Sequence, residues 1–337
     1  MTSDTKSQTI NWYRTPIDRG TLNRLNQRSD AKGLMQTLGH LGLLVLTGAV
    51  ACYSARWLPL PALFVILCLH GTVYAFLVNG FHELCHGTVF KSKPLNTLFL
   101  YVFSFLGGFN PVMFWTSHQE HHKYTLHPPD DLEVVLPVEI TLSSFLKSTF
   151  VNPWGFIDRI KALIRLSRGR LEGKWENMLF PESEPKNRHR LFTWARILLI
   201  GHTLIAIVSL TLGLWMVPVL ITLAPFYGGW LLFLCNNTQH VGLQDNALDF
   251  RLCTRTIILN PVVRFLYWHM NFHIEHHMYA AVPCYNLGKL HDAIKYELPH
   301  SPVGLVAAWK EIIAILRKQK ADPAFQYVPK LPMRVTV

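Results

Sequence analysis

The sequence is poor in charged residues and in cysteine. Only 16% of its 337 residues are Asp, Glu, Lys or Arg, whereas about 25% is usual for a soluble domain. Half of the residues are hydrophobic. Together with the shortage of charged residues, this argues against a soluble globular protein and against a disordered chain. The six cysteines form no CxxC pair, which argues against a zinc ribbon and against a disulfide framework.

Acidic residues are the scarcer charge. The 21 Asp and Glu against 32 Lys and Arg leave a formal net charge of +11. A basic balance often indicates nucleic acid, but in so apolar a chain an anionic membrane surface is the better partner, and we expect no nucleic acid. The residues up to Lys32 are polar and mixed in charge, so they do not resemble a secretory signal.

Three long stretches carry no charged residue: 33–55, 57–82 and 197–235. A bilayer core about 30 Å thick requires about 20 helical residues, so the third stretch holds two spans, with a turn at Gly213–Pro218. We therefore predict an all-α integral membrane protein with four transmembrane helices in two hairpins. The predicted spans, within a single domain of residues 1–337, are 34–55 paired with 59–79 and 196–216 paired with 218–236.

The distribution of basic residues predicts the orientation in the membrane. Apart from Arg56 and Arg196, every Lys and Arg lies in residues 1–33, 80–192 or 237–337, and positive charge marks the cytoplasmic side. Both termini are therefore expected in the cytoplasm of a multi-pass protein, in a bacterial inner membrane or the endoplasmic reticulum. The second and third of these ranges are predicted to form a cytosolic helical cap.

Seventeen histidines are many for this length, and most of them cluster. The spacings HxxxH and HxxHH place imidazoles at i, i+3 and i+4, on one face of a helix, and imidazole is a ligand of zinc, copper, iron and nickel. A lone histidine in an apolar helix is instead a packing group, which we expect of His40, His70 and His202. The clusters are HELCH (His82, His86), HQEHH (His118, His121, His122), NNTQH (His240) and HIEHH (His273, His276, His277).

The predicted topology brings these clusters to one membrane surface. The second span ends just before His82, and the fourth ends where Asn236 and His240 follow, so both deliver side chains to the cytoplasmic face. Glycine and proline interrupt the apolar segment Pro94–Trp115, which we expect to lie in the interface or to re-enter. If it crossed, His82 and His118 would lie on opposite faces. Nine histidines on one face can hold two metals, and they exceed the four ligands of a structural zinc site.

At these motifs the chain resembles the membrane-bound fatty acid desaturase superfamily, which is marked by three histidine boxes. The boxes here read HELCH, HQEHH and HIEHH. The surrounding HHKYTLHPPDDLEV and HHMYAAVPCYNLGKLH are similar to the family as well, so the resemblance extends over residues 82–291. It implies paired spans, with all boxes on the cytosolic side.

The resemblance also implies a di-iron oxidoreductase with O2 as co-substrate, although imidazole would bind zinc as well in a recombinant preparation. It implies that the nine clustered histidines bind the metals and that Asn236 holds a metal-bound water. The first box has three intervening residues, unlike the animal acyl-CoA branch, and the third begins with His273 rather than glutamine, unlike the front-end branch. No haem-binding HPGG occurs, so a separate electron donor, ferredoxin or cytochrome b5, is expected.

The motifs leave the reaction open. A desaturase that introduces a double bond into a lipid acyl chain is the first hypothesis, and a hydroxylase or ketolase acting on a lipid or a small metabolite is the second. A metal transporter or metal-dependent hydrolase is a third, but a transporter needs polar groups within its spans. The four predicted spans hold no acidic residue, which argues against transport.

Two expectations concern residues beside the boxes. Metal-bound histidines usually donate their other N–H to a carboxylate or carbonyl, and acidic residues are scarce here. We therefore predict that Asp130 or Asp131, just after the second box, accepts a hydrogen bond from an imidazole of the cluster. His269 lies four residues before His273, on the same helical face, but the family pattern has no ligand there, and we predict that it is not one.

Overall fold

The computed structural model describes residues 10–134 and 140–332. Within these ranges the chain is helical, and it contains isolated β-bridges but no extended strand. The predicted all-α class is therefore confirmed for the part of the chain that the structure describes. The ends of the predicted single domain, residues 1–9 and 333–337, lie outside the described residues.

Seventeen α-helices and two short 3₁₀ helices form the described part of the chain. The first nine are α1 Arg19–Leu25, α2 Asp30–Trp57, α3 Leu60–Ala75, α4 Leu77–Cys85, α5 Lys93–Gly107, α6 Pro111–Tyr124, α7 Leu142–Thr149, α8 Pro153–Ser167 and α9 Gly173–Leu179. The other eight are α10 Pro185–Thr211, α11 Met216–Leu220, α12 Trp230–Asn236, α13 Phe250–Cys253, α14 Pro261–Leu266, α15 His273–Met278, α16 Leu287–Ile294 and α17 Gly304–Ala321. The 3₁₀ helices are Ala224–Phe226 and Cys284–Asn286.

Three helical segments of the described chain are long and apolar enough to cross a membrane, by length and composition. They are Asp30–Trp57, Leu60–Cys85 and Pro185–Thr211, which overlap the first three predicted spans. The second segment joins α3 and α4, which meet at Phe76. Most of their surface is exposed, as expected of helices whose apolar side chains face lipid.

The gap between the first two predicted spans, 34–55 and 59–79, lies where α2 ends and α3 begins. Pro59 is the N-cap of α3, and Pro61 lies in its first turn, where a missing N–H costs little. Ser29 caps the N-terminus of α2 by accepting from the backbone N–H of Lys32 at 3.4 Å. The two helices α2 and α3 pack against one another.

The three lone histidines have hydrogen-bond partners within the helices, as expected. His40 bonds the carbonyl of Val73 at 3.0 Å, and His70 bonds that of Leu220 at 3.0 Å. A ring nitrogen of His202 lies 2.9 Å from the carbonyl oxygen of Phe105. Each imidazole thus ties two segments of the apolar region together, and a buried polar group of this kind requires such a partner.

The segment predicted to re-enter forms a bent pair of helices. The axes of α5 and α6 differ by 103°, and the bend lies at Gly108, which has a left-handed φ of 66°. Asn110 caps α6 by accepting from the N–H groups of Val112 and Met113 at 3.1 and 3.3 Å. If the pair counts as one span, the structure has four candidate spans; if it does not, it has three.

The segment predicted as the fourth span, 218–236, is not one continuous helix. It is divided into α11, the 3₁₀ turn Ala224–Phe226 and α12. Pro225 lies in that turn, and Gly228 has a φ of 71° and lies against the backbone of Cys68 and Thr72. The close approach to α3 explains the break, because an added Cβ at Gly228 would lie 2.6 Å from the carbonyl oxygen of Cys68.

Helices α4 and α5 both contact a large buried tryptophan. Trp268 is fully buried, and its ring contacts that of Phe103 edge to face. Gly80 of α4 faces both rings, since a Cβ built on it would lie 2.6 Å from Trp268 and closer still to Phe103. This contact sets the distance between α4, which carries the first histidine box, and the segment that leads into the third.

We expect Gly80→Ala to destabilise the protein by about 1–3 kcal/mol, because overpacking forces the two rings apart. Gly42→Ala is the matched control, since no atom lies within 4 Å of a Cβ at that position in α2. Thermal unfolding in detergent measures both. Equal melting temperatures for the two variants would show that α4 does not need this close contact.

Candidate metal centre

Nine histidines form two adjacent groups whose ring nitrogens converge. Within each group, one nitrogen of every member lies within 4.8 Å of one nitrogen of every other member. The imidazoles of His122 and His277, one from each group, stack with ring centroids 4.5 Å apart. The first group is His82, His86, His118, His122 and His276, and the second is His121, His240, His273 and His277.

Four local structures bring these side chains together. His82 lies in the last turn of α4, and His86 is its C-cap. The second box lies on the C-terminal half of α6, His240 follows α12 in a turn, and the third box forms α15 itself. The i, i+3 and i+4 spacings thus lie on helical turns as predicted, whereas the second and third boxes each contribute to both groups and the first box to only one.

A tight reversal directs α15 into the cluster. Trp268 and His269 both have left-handed φ values, 51° and 59°, which are uncommon for residues with large side chains. The indole N–H of Trp268 donates to Nδ1 of His40 at 2.9 Å. His40 of α2 therefore stabilises the turn that precedes the third box.

The Nε2 atoms of the cluster face one another at short distances. They are 2.8 Å apart in His82 and His118 and 2.9 Å apart in His240 and His273. Three more such pairs lie at 3.0–3.2 Å. Nε2 of His86 is buried and has no hydrogen-bond partner among the described residues. Contacts this short between two nitrogen atoms require a shared proton or a cation between them.

Several of the opposite nitrogens already have acceptors, although Nδ1 of His273 and of His276 has none among the described residues. Nδ1 of His82 lies 3.0 Å from Glu83, Nδ1 of His118 lies 2.8 Å from Glu133, and Nδ1 of His240 lies 2.8 Å from the carbonyl oxygen of Cys253. Because a carbonyl oxygen and an ionised carboxylate only accept, Nδ1 carries the proton in His240, and in His82 and His118 when the facing glutamate is ionised; burial raises the pKa of Glu83 to about 8 and also raises that of Glu133. A neutral imidazole has one N–H, so its Nε2 presents a lone pair to its neighbour.

Burial disfavours the doubly protonated, charged form of most of these imidazoles. It lowers the pKa of His240 to about 3, and burial followed by neighbouring histidines holds the pKa of His273, His276 and His277 well below the usual range. Unprotonated Nε2 atoms that point at one another repel unless a cation lies between them. The donor set, entirely imidazole, fits zinc or iron, so these nine residues can hold two metal ions.

One of the two predicted aspartates contacts an imidazole. Asp131 is fully buried, and its carboxylate accepts from Nδ1 of His121 at 2.8 Å and from the backbone N–H groups of Leu126 and Glu133 at 2.8 and 2.9 Å. Burial favours the neutral acid, but the His121 contact and these N–H groups hold its pKa below the usual value. Asp130 is half-exposed, and its carboxylate makes no hydrogen bond or ion pair with a described residue.

Two further predicted residues lie near the histidine groups without joining them. The Asn236 side chain accepts from the Nδ2 amide of Asn79 at 3.5 Å and lines a cavity of about 350 Å³, which is compatible with a role in holding water. His269 belongs to neither group, and burial lowers its pKa to about 4.

The structure adds carboxylates that the sequence left undecided. Glu83 is fully buried and lies 3.6 Å from Nδ1 of His276 as well as beside His82. Glu275 accepts from Thr256 and from Nδ1 of His291, so it stabilises α15 through residues outside the two histidine groups. Glu120 pairs with Lys123 at the surface. In the sequence, Glu83, Glu275 and Glu120 each lie next to a box histidine. That adjacency therefore could not distinguish the two buried carboxylates from Glu120 at the surface.

Comparisons with known proteins agree with the motifs. A family model described as "Fatty acid desaturase" matches residues 55–309. A curated relative, the Delta(6)-fatty-acid desaturase fat-3 of Caenorhabditis elegans, is 26% identical over 239 residues, which cover 64% of this chain and 54% of the relative. The chain thus spans about half the length of the curated relative it matches.

Asp131→Asn is expected to lower metal affinity or activity by about 10–100-fold, because the amide removes the charge that orients His121. Asp130→Asn is the control, one residue away. Metal content per chain after dialysis against a weak chelator measures both. If Asp131→Asn retains as much metal as Asp130→Asn, the buried carboxylate does not support the site.

His269→Asn is expected to retain metal at the wild-type level, whereas His273→Asn loses it, because only the second imidazole belongs to a converging group. Asparagine is chosen because it tolerates the left-handed φ of 59° at residue 269. The same chelator assay compares the variants. Comparable metal loss in both would make His269 a tenth ligand and our assignment wrong.

Proposed function

From the premise that this chain belongs to the fatty acid desaturase family, we propose that it is an oxygen-dependent di-iron desaturase that introduces a double bond into a lipid acyl chain or a similar substrate. The observation that carries the proposal is the pair of buried histidine groups with their Nε2 lone pairs facing one another. The name of the curated relative supports a fatty acyl chain as the substrate.

We propose that each group of histidines holds one iron and that Asn236 holds a water bound at the centre. Two irons held by these residues would supply the chemistry for O2-dependent oxidation of an unactivated C–H bond, with electrons from a carrier. The protein itself contributes neutral imidazoles and fixed ring orientations. Glu83, Asp131 and Glu133 orient rings by accepting their Nδ1–H groups, and such partners also raise the basicity of the ligand.

Water is excluded from most of this region by the surrounding helices. The rings of His118, His121 and His273 are no more than 3% exposed. A dry site strengthens the electrostatic interactions within it. It also protects a reactive centre from side reactions, so the burial of the histidines suits oxidation of a C–H bond better than simple storage of metal.

The proposed membrane placement keeps all boxes on the cytoplasmic side. Nε2 of His82 lies 2.8 Å from Nε2 of His118, so the chain between them returns to the level from which it departed. The 103° bend between α5 and α6 supports re-entry rather than a crossing. With the basic residues concentrated outside the apolar runs, this supports cytoplasmic termini.

The electron donor is proposed to be a separate protein, ferredoxin or cytochrome b5, that docks on the cytoplasmic face. The chain has a net charge of +11, and a basic surface attracts an acidic carrier. Long-range attraction of this kind weakens with salt, so the rate of electron delivery should fall as ionic strength rises.

We expect the protein loaded with ferrous iron to hold two irons per chain and, in cells, to convert acyl chains to products lighter by two hydrogens. Iron is measured by elemental mass spectrometry and products by lipid mass spectrometry. His273→Asn is the inactive control, because His273 converges with three other imidazoles. Products heavier by one oxygen would identify a hydroxylase, and unchanged lipids with a fully loaded site would refute the desaturase proposal.

A further inference from the structure

A cavity of about 350 Å³ extends from the end of α12 towards the bend between α5 and α6. Asn236 and Asn237 line it near the histidine groups, and Tyr74, Phe233 and Arg159 line other parts of its wall. Cavities of this size hold small molecules or parts of lipid chains. Its lining mixes apolar side chains with the polar Ser148, Thr149 and the two asparagines, and it holds one full charge, the guanidinium of Arg159.

The guanidinium of Arg159 is fixed on one side. Its Nη1 donates to the carbonyl oxygen of Gly107 at 2.6 Å and lies 3.4 Å from that of Gly108. The rings of Phe109 and Phe226 lie 5.5 and 5.1 Å from its central carbon. These contacts hold the planar group at the C-terminal end of α5, where helix carbonyls favour a cation.

The charge of Arg159 has no carboxylate partner among the described residues. Three other buried or half-buried arginines have one, namely Arg165 with Glu176, Arg251 with Asp249, and Arg255 with Glu311, whereas the half-buried Arg264 has none among the described residues. No described residue accepts a hydrogen bond from Nε or Nη2 of Arg159, although Nη1 is engaged. A guanidinium that is half-buried in this cavity, with donors to spare, is a site for an anion that binds through two oxygens.

The surroundings indicate where such an anion comes from. The turn between α7 and α8, which leads to Arg159, has an exposed apolar surface formed by Phe150, Val151 and Trp154. Residues 150–152 pair with the backbone of 226–228, beside α3, at the level of the apolar spans. The cavity therefore adjoins a surface suited to lipid, and an amphiphile can present both an apolar chain and an anionic end there.

We propose that Arg159 binds the anionic oxygen group, a carboxylate or a phosphate, of the lipid substrate and positions its chain along the cavity towards Asn236. The inference rests on the proposed function and names the class of its substrate. Arg159 is thus a substrate-binding residue, remote from the metals, that determines which amphiphiles enter. A neutral lipid of equal chain length lacks the group that the guanidinium recognises.

Binding of three amphiphiles to the purified full-length chain in detergent tests the proposal. Palmitate, hexadecyl phosphate and hexadecan-1-ol share one chain and differ in the end group, and titration calorimetry gives the ratio of their dissociation constants. Wild type is expected to prefer at least one anion over the alcohol by about tenfold to a hundredfold, as for a hydrogen bond to a charged group. Preference for both anions supports the shared chemistry, and preference for one identifies the source.

Two variants of Arg159 and one control separate recognition from structure. Arg159→Gln is expected to bind anion and alcohol equally, and Arg159→Lys to keep a reduced preference, because lysine lacks the planar fork. Lys161→Gln removes the same charge from an exposed position of α8 and should leave the preference unchanged. A structural role at Gly107 would instead weaken all three ligands equally and leave the ratio intact.

Three results would overturn the proposal: no anion preference in wild type, an unaltered preference in Arg159→Gln, or an unaltered preference in Arg159→Lys should the glutamine variant not fold. The assay needs no turnover, so it is independent of the desaturase proposal. A chain that shows the Arg159-dependent preference but modifies no lipid would refute the reaction and retain the binding site. A chain that desaturates lipids without the preference would support the reaction and refute the binding site.

Discussion

The Nε2 atoms of seven clustered imidazoles face one another at 2.8–3.2 Å, and this constraint explains most of the surrounding structure. A carboxylate or carbonyl oxygen holds the proton on Nδ1 in His82, His118, His121 and His240. Burial disfavours a second proton on His240; at His121 burial also opposes the charged form, but the contact with Asp131 outweighs it and raises the pKa. A metal cation between the facing Nε2 atoms is the species that the arrangement fits.

The fold brings the chain back several times to the place where the histidines converge. The α5–α6 bend brings the second box back beside the first, and the tight turn at Trp268, held by His40, aims α15 at both. Gly80 lets the helix of the first box approach that turn closely. Positions far from the histidines in sequence thus determine whether the two groups can converge.

Local features of the site could be predicted from the sequence, and long-range ones could not. Histidine spacing on a helix is a local property, so the faces of α6 and α15 followed from HxxHH. The difference between Asp130 and its neighbour Asp131 depends on a turn that no pattern specifies. The lack of a carboxylate beside Arg159 depends on segments more than forty residues apart in the sequence. The break in 218–236 depends on how closely Gly228 approaches α3.

X-ray absorption at the iron edge, on the chain loaded with ferrous iron, tests the central claim most directly. Nine histidine ligands around two ions predict a first shell of nitrogen and oxygen, the multiple-scattering pattern of several imidazoles per iron, and no sulfur. The six cysteines are all free and lie in neither histidine group. A sulfur shell, or scattering from one or two imidazoles per iron, would contradict the assignment of the two groups as the metal site.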